Sequence, residues 1–295
     1  MRDNRRLLLV HAHPDDESIG TGATMAKYVA QGAHVTLVTC TLGDEGEVLV
    51  EDLAHLAAQH EDRLAAHRLI ELSDAMAHLG VTDFRILGGI GGYRDSGMVG
   101  TEPNNRPDSF WQADLLEAAK HLVRIIRETK PQVVVTYDDF GGYGHPDHIK
   151  AHRVTTYAAS LAAVSSFAPE LGEPWQIAKL YWTAFPVSVI RAGIEALKAS
   201  GDETGFAAQD PDDVPFACPD EYITTVINAG EFGQRKLDAL RAHATQIKTD
   251  EGFFALSNNL GAEVMGQEYF RLAFGQLGAI NGDGHEDDLF SGISF

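Results

Sequence analysis

Short apolar runs alternate along this chain with segments whose apolar residues recur at the helical period, and this alternation restricts the fold more than any other feature. Gly, Pro or Asp residues bound the runs, which lie near 7–12, 34–41, 84–88, 132–137 and 179–184. The helical segments lie between them, near 22–31, 53–79, 112–128 and 147–162. Strands and helices that alternate in this way form a mostly parallel sheet with helices on both faces. The sequence therefore predicts a Rossmann-like, doubly wound α/β fold.

Two polar clusters follow apolar runs, at the points where strands are predicted to end. HAHPDDES, residues 11–18, follows Leu7–Val10, and DDFGGYGHPDH, residues 138–148, follows Val133–Val135. In a doubly wound sheet of order 3-2-1-4 the first and fourth strands are neighbours, and ligands bind beyond their carboxyl ends. The two clusters, which both contain His-Pro-Asp, are therefore predicted to face each other across one crevice.

The residue types in these clusters indicate a metal site. The candidate ligands are His13, one of Asp15 or Asp16, and His148, which leave a coordination position for water. Two imidazoles and a carboxylate with an open position are typical of catalytic Zn²⁺, although they are also the facial triad of non-haem Fe²⁺ oxygenases. If Asp16 is the ligand, Asp15 and His145 remain for proton transfer. A shared ligand would explain why so many groups that are costly to desolvate follow a buried strand.

Charge and composition exclude several other classes of protein. The net charge is −20, from 43 acidic and 23 basic residues, so nucleic acid and anionic membranes would be repelled. No apolar stretch reaches the roughly 18 residues of a spanning helix. The run after Arg5 and Arg6 is too short for a signal peptide, so we expect a cytoplasmic protein with a small-molecule substrate. Gly20 and Gly22 are not a dinucleotide-binding loop, because Met25 occupies the third glycine position.

The motifs HPDDE and GHPDH resemble those of the zinc-dependent N-acetylglucosaminyl deacetylases of the LmbE/PIG-L type, over about residues 6–160. Longer strings resemble the bacterial branch of this family that deacetylates N-acetylglucosaminyl-inositol in mycothiol biosynthesis. These strings are HAHPDDES, TCTLGDEGEV, RDSGM, DDFGGYGHPDH, LRAHATQ and LSNNL. The resemblance implies metal-dependent hydrolysis of this amino-sugar inositol to glucosaminyl-inositol and acetate.

The same resemblance implies roles for four residues of the first and second clusters. His13, Asp16 and His148 match the family's zinc ligands, and Fe²⁺ is a second metal compatible with them. Asp15 matches the general base that accepts a proton from the attacking water.

Five further residues are expected to act on the substrate or to support the residues that do. His145 matches the residue that stabilises the tetrahedral intermediate or protonates the leaving amine, and Asp147 matches a partner that orients His145. Tyr143 matches a mobile residue that polarises the acetyl carbonyl. Arg68 and Asp95 match residues that hold the inositol and sugar hydroxyls.

The predicted helices between the motifs contradict the all-β jelly roll expected of a non-haem iron oxygenase. Two other alternative functions are an amidase and a binding module. The related amidase that cleaves mycothiol S-conjugates shares HAHPDDES, RDSGM and RAHATQ, whereas LSNNL at 256–260 favours the deacetylase. A non-catalytic, metal-bound carbohydrate-binding module would not need Asp15 or His145.

The chain is expected to have two parts that pack together. Residues 1–165 are predicted to form the catalytic core with the metal site, and residues 166–295 a C-terminal elaboration that contributes to substrate specificity. Within the second part, a strand is predicted near 222–227 and a helix near 230–246. The acidic residues of 201–221 and 282–288 are expected in solvated loops and a solvated tail.

Overall fold

The structure is a computed structural model that describes residues 4–201, 205–250, 254 and 262–294. Its strands are β1 (Arg6–His11), β2 (His34–Thr39), β3 (Asp83–Ile86), β4 (Val133–Thr136), β5 (Lys179–Pro186), β6 (Ala217–Cys218), β7 (Thr225–Asn228) and β8 (Gln267–Phe274). Its α-helices are α1 (Asp16–Ala30), α2 (Leu64–Leu79), α3 (Leu115–Thr129), the short α4 (Gly141–Gly144), α5 (Pro146–Ala162), α6 (Val187–Ala199) and α7 (Gly233–Ala242).

The strands form one sheet in the order β3-β2-β1-β4-β5-β8-β7, and β6 pairs with β5 beside this path. From β3 to β5 every pairing is parallel, whereas β8 is antiparallel to both β5 and β7. The predicted α/β fold and the predicted neighbourhood of β1 and β4 are confirmed. The carboxyl ends of these two strands, which precede the two polar clusters, therefore lie side by side.

The sheet is buried on both faces, which explains the continuous apolar run of β1. Leu7 and Leu9 belong to the core that packs against α1, α2 and α7. Leu8 and Val10 belong to a second core on the opposite face, against α3 and α5. Successive side chains of a strand point to opposite faces, so a strand with helices on both sides needs apolar residues at every position.

The helix predicted over 53–79 is two elements. A 3-10 helix at Glu51–Leu56 is followed by a turn, and α2 begins only at Leu64. In the turn, Asp62 adopts a φ of +53°, which a helix cannot accommodate. The Asp62 carboxylate binds the Arg94 guanidinium at 2.7 Å and 3.1 Å, so a contact distant in sequence overrides the helical pattern.

Three strands or α-helices of the C-terminal part were not predicted, namely α6, β6 and β8. The strand predicted near 222–227 is β7, and the helix predicted near 230–246 is α7, which ends at Ala242. The string LSNNL lies outside the described residues. Among the residues that the structure describes, no helix is both long enough and apolar enough to cross a membrane.

The expectation of a solvated acidic tail is wrong for Glu286 and Asp288. Glu286 is fully buried, where its carboxylate binds the Lys179 ammonium at 2.6 Å and the Tyr181 hydroxyl at 2.6 Å. Asp288 accepts a hydrogen bond from the Tyr28 hydroxyl at 2.7 Å. These buried donors give the two acids partners that composition does not reveal.

Candidate active site

The two polar clusters meet at the carboxyl ends of β1 and β4, at the floor of a cavity of about 810 Å³. The predicted site residues line this cavity, with the exception of Asp147, which lies behind it and is fully buried. The structure therefore brings together side chains that are about 130 residues apart in the sequence.

Asp16 lies between the two predicted histidine ligands. Its Oδ2 atom is 3.4 Å from His13 Nδ1 and 3.4 Å from His148 Nε2. The same oxygen accepts the His13 backbone N–H at 2.9 Å, which fixes the carboxylate at the start of α1. One carboxylate oxygen and two ring nitrogens thus converge on a small volume, as ligands of one metal ion do.

Hydrogen bonding prepares His148 to bind a cation. Its Nδ1–H donates to the Gly141 carbonyl at 3.1 Å, so Nε2 carries the free lone pair. This Nε2 atom is buried and has no hydrogen-bond partner among the described residues. A buried acceptor without a donor is unfavourable, and a metal ion would satisfy it.

The opposite end of the His13 ring is held by Asp147. The His13 Nε2–H donates to Asp147 Oδ2 at 3.2 Å, and Ser96 donates to both oxygens of the same carboxylate. A carboxylate behind a ligating imidazole is the usual arrangement at metal sites, where it fixes the ring and its tautomer. His13 Nδ1 is therefore left to face Asp16.

The expectation that Asp147 orients His145 is wrong for its side chain. Its carboxylate is occupied by His13 and Ser96, and only its backbone N–H reaches His145, where it donates to Nδ1 at 3.1 Å. The cause is local, because His145 is the N-cap of α5 and accepts a bond from the first turn of that helix.

The charge around His13 also fits a cation. Burial lowers the pKa of His13, but the carboxylates of Asp95, Asp147 and Asp16 outweigh burial and raise it well above its ordinary value. The negative charge of these buried acids favours a proton on the His13 ring. A metal cation at Nδ1 would be stabilised by the same negative charge.

His145 has the opposite tautomer from His148. Because its Nδ1 accepts a hydrogen bond, the proton of the neutral ring lies on Nε2. Burial, and to a smaller extent His13 and His148, lowers the pKa of His145 to about 3, so the ring is neutral at neutral pH. Nitrogen atoms of His13, His145 and His148 lie within 4.8 Å of one another, but the protonated Nε2 suits His145 to donate rather than to ligate.

Asp15 faces the same cavity and is held by Arg68. The guanidinium Nη2 lies 3.1 Å from Asp15 Oδ2 and also donates to the Pro14 carbonyl, while Nη1 donates to the Gly43 carbonyl at 3.0 Å. Burial raises the pKa of Asp15 to about 6 against the opposing effect of Arg68, so the carboxylate remains ionised at neutral pH. Arg68 lines the cavity, but its Nη1 and Nη2 groups donate to Asp15, Pro14 and Gly43 of the protein itself.

Asp95 and Tyr143 complete the predicted set. The Asp95 carboxylate accepts backbone N–H groups of Glu45 at 3.1 Å and Gly97 at 2.8 Å, and its pKa is lowered, despite burial, chiefly by His13. Tyr143 is 40% exposed, and its ring centroid lies 5.0 Å from that of His148. It belongs to α4, where glycines surround it, so it can approach a ligand from the open side.

Sequence reasoning missed three residues that contribute to the site. Ser96 fixes Asp147, and Tyr137 stacks on His148 with ring centroids 4.3 Å apart. Ser96 lies within the string RDSGM, and Tyr137 directly precedes DDFGGYGHPDH. These strings were therefore the signal that could have indicated both residues. Arg271 of β8 also lines the cavity, between the rings of Trp182 and Tyr222, and no signal in the sequence indicated it.

Comparison with known proteins supplies the family. Residues 8–159 match the PIG-L family, described as GlcNAc-PI de-N-acetylase. A relative from Geodermatophilus obscurus, named 1D-myo-inositol 2-acetamido-2-deoxy-alpha-D-glucopyranoside deacetylase, is 59% identical over 99% of both chains.

Solved structures share the fold at low identity. The N,N'-diacetylchitobiose deacetylase from Pyrococcus horikoshii has a TM-score of 0.60 at 19% identity, over 91% of this chain and 83% of that chain. GalB, a 4-carboxy-2-hydroxymuconate hydratase from Pseudomonas putida, has a TM-score of 0.62 at 17% identity, over 94% and 100% of the two chains. These likenesses show the fold alone, since the second protein is named for a different reaction. The family match and the full-length relative go further, and the chain belongs to the PIG-L family of GlcNAc-PI de-N-acetylases.

Proposed function

We propose that this protein hydrolyses the acetamide of N-acetylglucosaminyl-inositol to glucosaminyl-inositol and acetate, the deacetylation step of mycothiol biosynthesis. The observation that carries the proposal is the placement of Asp15 and the Nε2–H of His145 around the converging His13, Asp16 and His148. The name of the full-length relative supports the choice of substrate. A cytoplasmic location stays a prediction.

His13, Asp16 and His148 would hold the metal, for which Zn²⁺ is the first candidate and Fe²⁺ the second. Neutral imidazoles and a carboxylate suit either ion. When bound, such a cation supplies a Lewis acid that makes water more acidic and polarises a carbonyl.

The protein's own residues divide the proton work. Asp15, ionised at neutral pH, accepts the proton of the attacking water and later passes it to the departing sugar nitrogen. Neutral His145 directs its Nε2–H at the carbonyl oxygen, where negative charge develops in the transition state. Tyr143 is placed to donate a second hydrogen bond to that oxygen. This assigns proton transfer to Asp15 and charge stabilisation to His145.

Substrate selection is proposed to involve both walls of the cavity. Asp95 and the Glu45–Glu47 segment present acceptors for sugar and inositol hydroxyls on one wall. The part 166–295 supplies the other wall, in which Arg271 lies with its Cζ atom 5.1 Å from the Trp182 ring and 4.8 Å from the Tyr222 ring. Among the described residues its guanidinium has no hydrogen-bond or ion-pair partner, so its donors are available to a substrate.

The amidase acting on mycothiol S-conjugates is the second candidate, and the size of the cavity is the observation that favours it. A volume of about 810 Å³ exceeds the need of an acetyl group beside a disaccharide-sized substrate. The other two alternatives have less support, because the α/β sheet is not the jelly roll expected of a non-haem iron oxygenase, and a binding module would not need Asp15 or His145.

The deciding experiment compares three substrates on one metal-replete preparation. We expect the kcat/KM for release of acetate from N-acetylglucosaminyl-inositol to exceed that for free N-acetylglucosamine and for amide cleavage of a mycothiol S-conjugate. A higher kcat/KM for the conjugate would replace the deacetylase assignment with the amidase. Binding of the sugar without turnover of any substrate would support the binding module.

A further inference from the structure

The backbone of Asp15 adopts a conformation that a non-glycine residue rarely takes. Its φ is +117° and its ψ is −39°, at the junction between β1 and α1. Such a conformation persists only where surrounding contacts hold it, and it is common at functional sites. The position of the Asp15 carboxylate therefore depends on the groups that bind its main chain.

Two side chains hold this residue from different directions. Arg68 binds the carboxylate at 3.1 Å and donates to the carbonyl of Pro14. Glu17 accepts the Asp15 backbone N–H on its Oε2 atom at 2.9 Å. Glu17 is fully buried, so protein partners must fix the orientation of its carboxylate.

The partner that fixes Glu17 comes from the far end of the chain. His243, which directly follows α7, donates its Nε2–H to Glu17 Oε1 at 2.8 Å, and the Ser18 hydroxyl donates to the same oxygen at 2.6 Å. His243 is also fully buried. A charge-assisted hydrogen bond between two buried groups is strong and directional, so it can set the carboxylate that binds Asp15.

The turn that carries His243 also binds α2, the helix that carries Arg68. The backbone N–H and the hydroxyl of Thr245 bind the Glu71 carboxylate at 2.8 Å and 2.7 Å, and Glu71 lies one turn beyond Arg68 on α2. Gln246 donates to the Glu47 carbonyl at 2.8 Å, in the loop that lines the cavity. One short segment, 243–246, therefore binds Glu17 directly and also binds α2, the helix that carries Arg68.

We propose that Glu17 and His243 are positioning residues that set the geometry of Asp15 for proton transfer. The proposal rests on the proposed function of Asp15 as the base. It assigns to the C-terminal part of the chain a role in the reaction itself, in addition to substrate selection. Neither residue is among those that line the cavity.

The primary test compares H243L with H243Q. Leucine removes the donor to Glu17, whereas glutamine can place an amide N–H near the position of Nε2. We expect H243L to lower kcat for acetate release by about tenfold or more with KM changed by less than about twofold, and H243Q to recover most of the rate. A kcat of H243L within about twofold of wild type would overturn the proposal.

A double-mutant cycle separates positioning from general damage to the site. If His243 acts through Asp15, H243L should change the residual kcat of D15N by less than about twofold, because D15N no longer uses the base. If His243 only supports the fold, the losses multiply, and a full additional tenfold loss in the D15N background refutes the proposal.

The matched control is K236M, which breaks the buried ion pair between Lys236 of α7 and Glu268 at 2.7 Å. This variant should lower the melting temperature and leave the kcat of the folded enzyme unchanged. If H243L does not fold, H243N replaces it, since its shorter amide cannot reach Glu17, and the same outcomes apply. Failure of the proposed function is recognised separately, because wild-type enzyme would then release no acetate.

Discussion

His145 and His148 are three residues apart, yet their hydrogen bonds prepare them for opposite chemistry. His148 donates a hydrogen bond from Nδ1–H to the Gly141 carbonyl and keeps a lone pair on Nε2. His145 accepts a hydrogen bond from the Asp147 backbone N–H on Nδ1 and carries its own hydrogen on Nε2. A backbone carbonyl and a backbone N–H thus distinguish a ligand from a hydrogen-bond donor within one turn of the chain.

The ligand assignment predicts a selective loss of metal. H148A and D16A should each reduce the metal content from about one ion per chain to a small fraction, because a site with three protein ligands loses one of them. Elemental analysis of protein purified without added metal measures the content. The control is H152A, one helical turn beyond His148, whose Nδ1 donates to the Tyr137 carbonyl instead. Full metal content in both H148A and D16A would contradict the assignment.

The assignment of Asp15 as the base predicts a slow enzyme that keeps its metal. D15N should lower kcat by about 10²–10⁴-fold, the usual contribution of a general base, with the metal content unchanged. Steady-state acetate release measures kcat, and elemental analysis confirms the metal. D16N serves as the comparison, since it should lose metal as well as activity. An unchanged kcat in metal-replete D15N would remove Asp15 from the mechanism.

The sequence was sufficient to predict that the histidines and aspartates of the two clusters gather at one site, because both clusters follow apolar runs and repeat His-Pro-Asp. It was not sufficient to predict how they pair. Asp147 precedes His148 and follows His145 closely, but its carboxylate binds His13 from the other cluster. That pairing depends on Ser96, which reaches Asp147 from a loop between β3 and α3.

At the scale of elements, Arg127 fixes the connection between α5 and β5. Arg127 is 2% exposed. Its guanidinium donates to backbone carbonyls of the last turn of α5 and of the connection that follows, which are those of Leu161, Ala162, Val164, Phe167, Ala168 and Gly172. The carbonyls of Phe167 and Gly172 lie in a segment with little regular structure, and the arginine supplies a donor that a helix or sheet would otherwise provide.

We expect R127L to lower the free energy of unfolding by about 3 kcal/mol or more, because all the hydrogen bonds of one charged, buried guanidinium are lost together. Urea denaturation followed by circular dichroism measures the change. R124L, on the exposed side of the same helix, is the control and should change stability by less than about 0.5 kcal/mol. Equal stabilities of the two variants would show that the connection does not depend on Arg127.

The sequence predicted the elements that recur with a simple pattern and missed those defined by tertiary contacts. The runs of β1 and β4 are apolar because helices cover both faces of the sheet. β8 has no such run, since Gln267, Glu268 and Arg271 are polar, and it is held as a strand by pairing with β5 and β7. Glu268 is tolerated there because Lys236 and the N–H groups of Ala23 and Thr24 bind its carboxylate.

At the scale of the whole molecule, Glu286 joins the C-terminal segment to the sheet. Besides Lys179 and Tyr181, the Thr225 hydroxyl of β7 donates to this carboxylate at 3.0 Å. We expect E286A to cost about 3–5 kcal/mol of stability, since a buried ammonium loses its counter-charge. Thermal and chemical denaturation measure the loss. The exposed neighbour variant D287A should be neutral, and a similarly neutral E286A would contradict the role of this network.

The proposed contribution of residues 166–295 to specificity is tested at Arg271. R271L should raise the KM for N-acetylglucosaminyl-inositol by about tenfold, because one charge-assisted hydrogen bond to the substrate is lost. The KM for free N-acetylglucosamine should change little. Steady-state kinetics on both substrates measure the difference. R241L, which removes an exposed arginine of α7, is the control. Equal effects of R271L on the two substrates would exclude a specific contact with the inositol side.

The place of β8 inside the sheet has a consequence for the synthesis of the protein. A ribosome releases β1 to β5 long before residues 267–274, so the nascent chain holds a partial sheet whose β5 edge has unpaired backbone groups. Such an edge can pair with another chain until its own partner arrives. Pauses in translation between β5 and β8 should therefore promote aggregation, whereas chaperones that cover the β5 edge should raise the yield of folded protein.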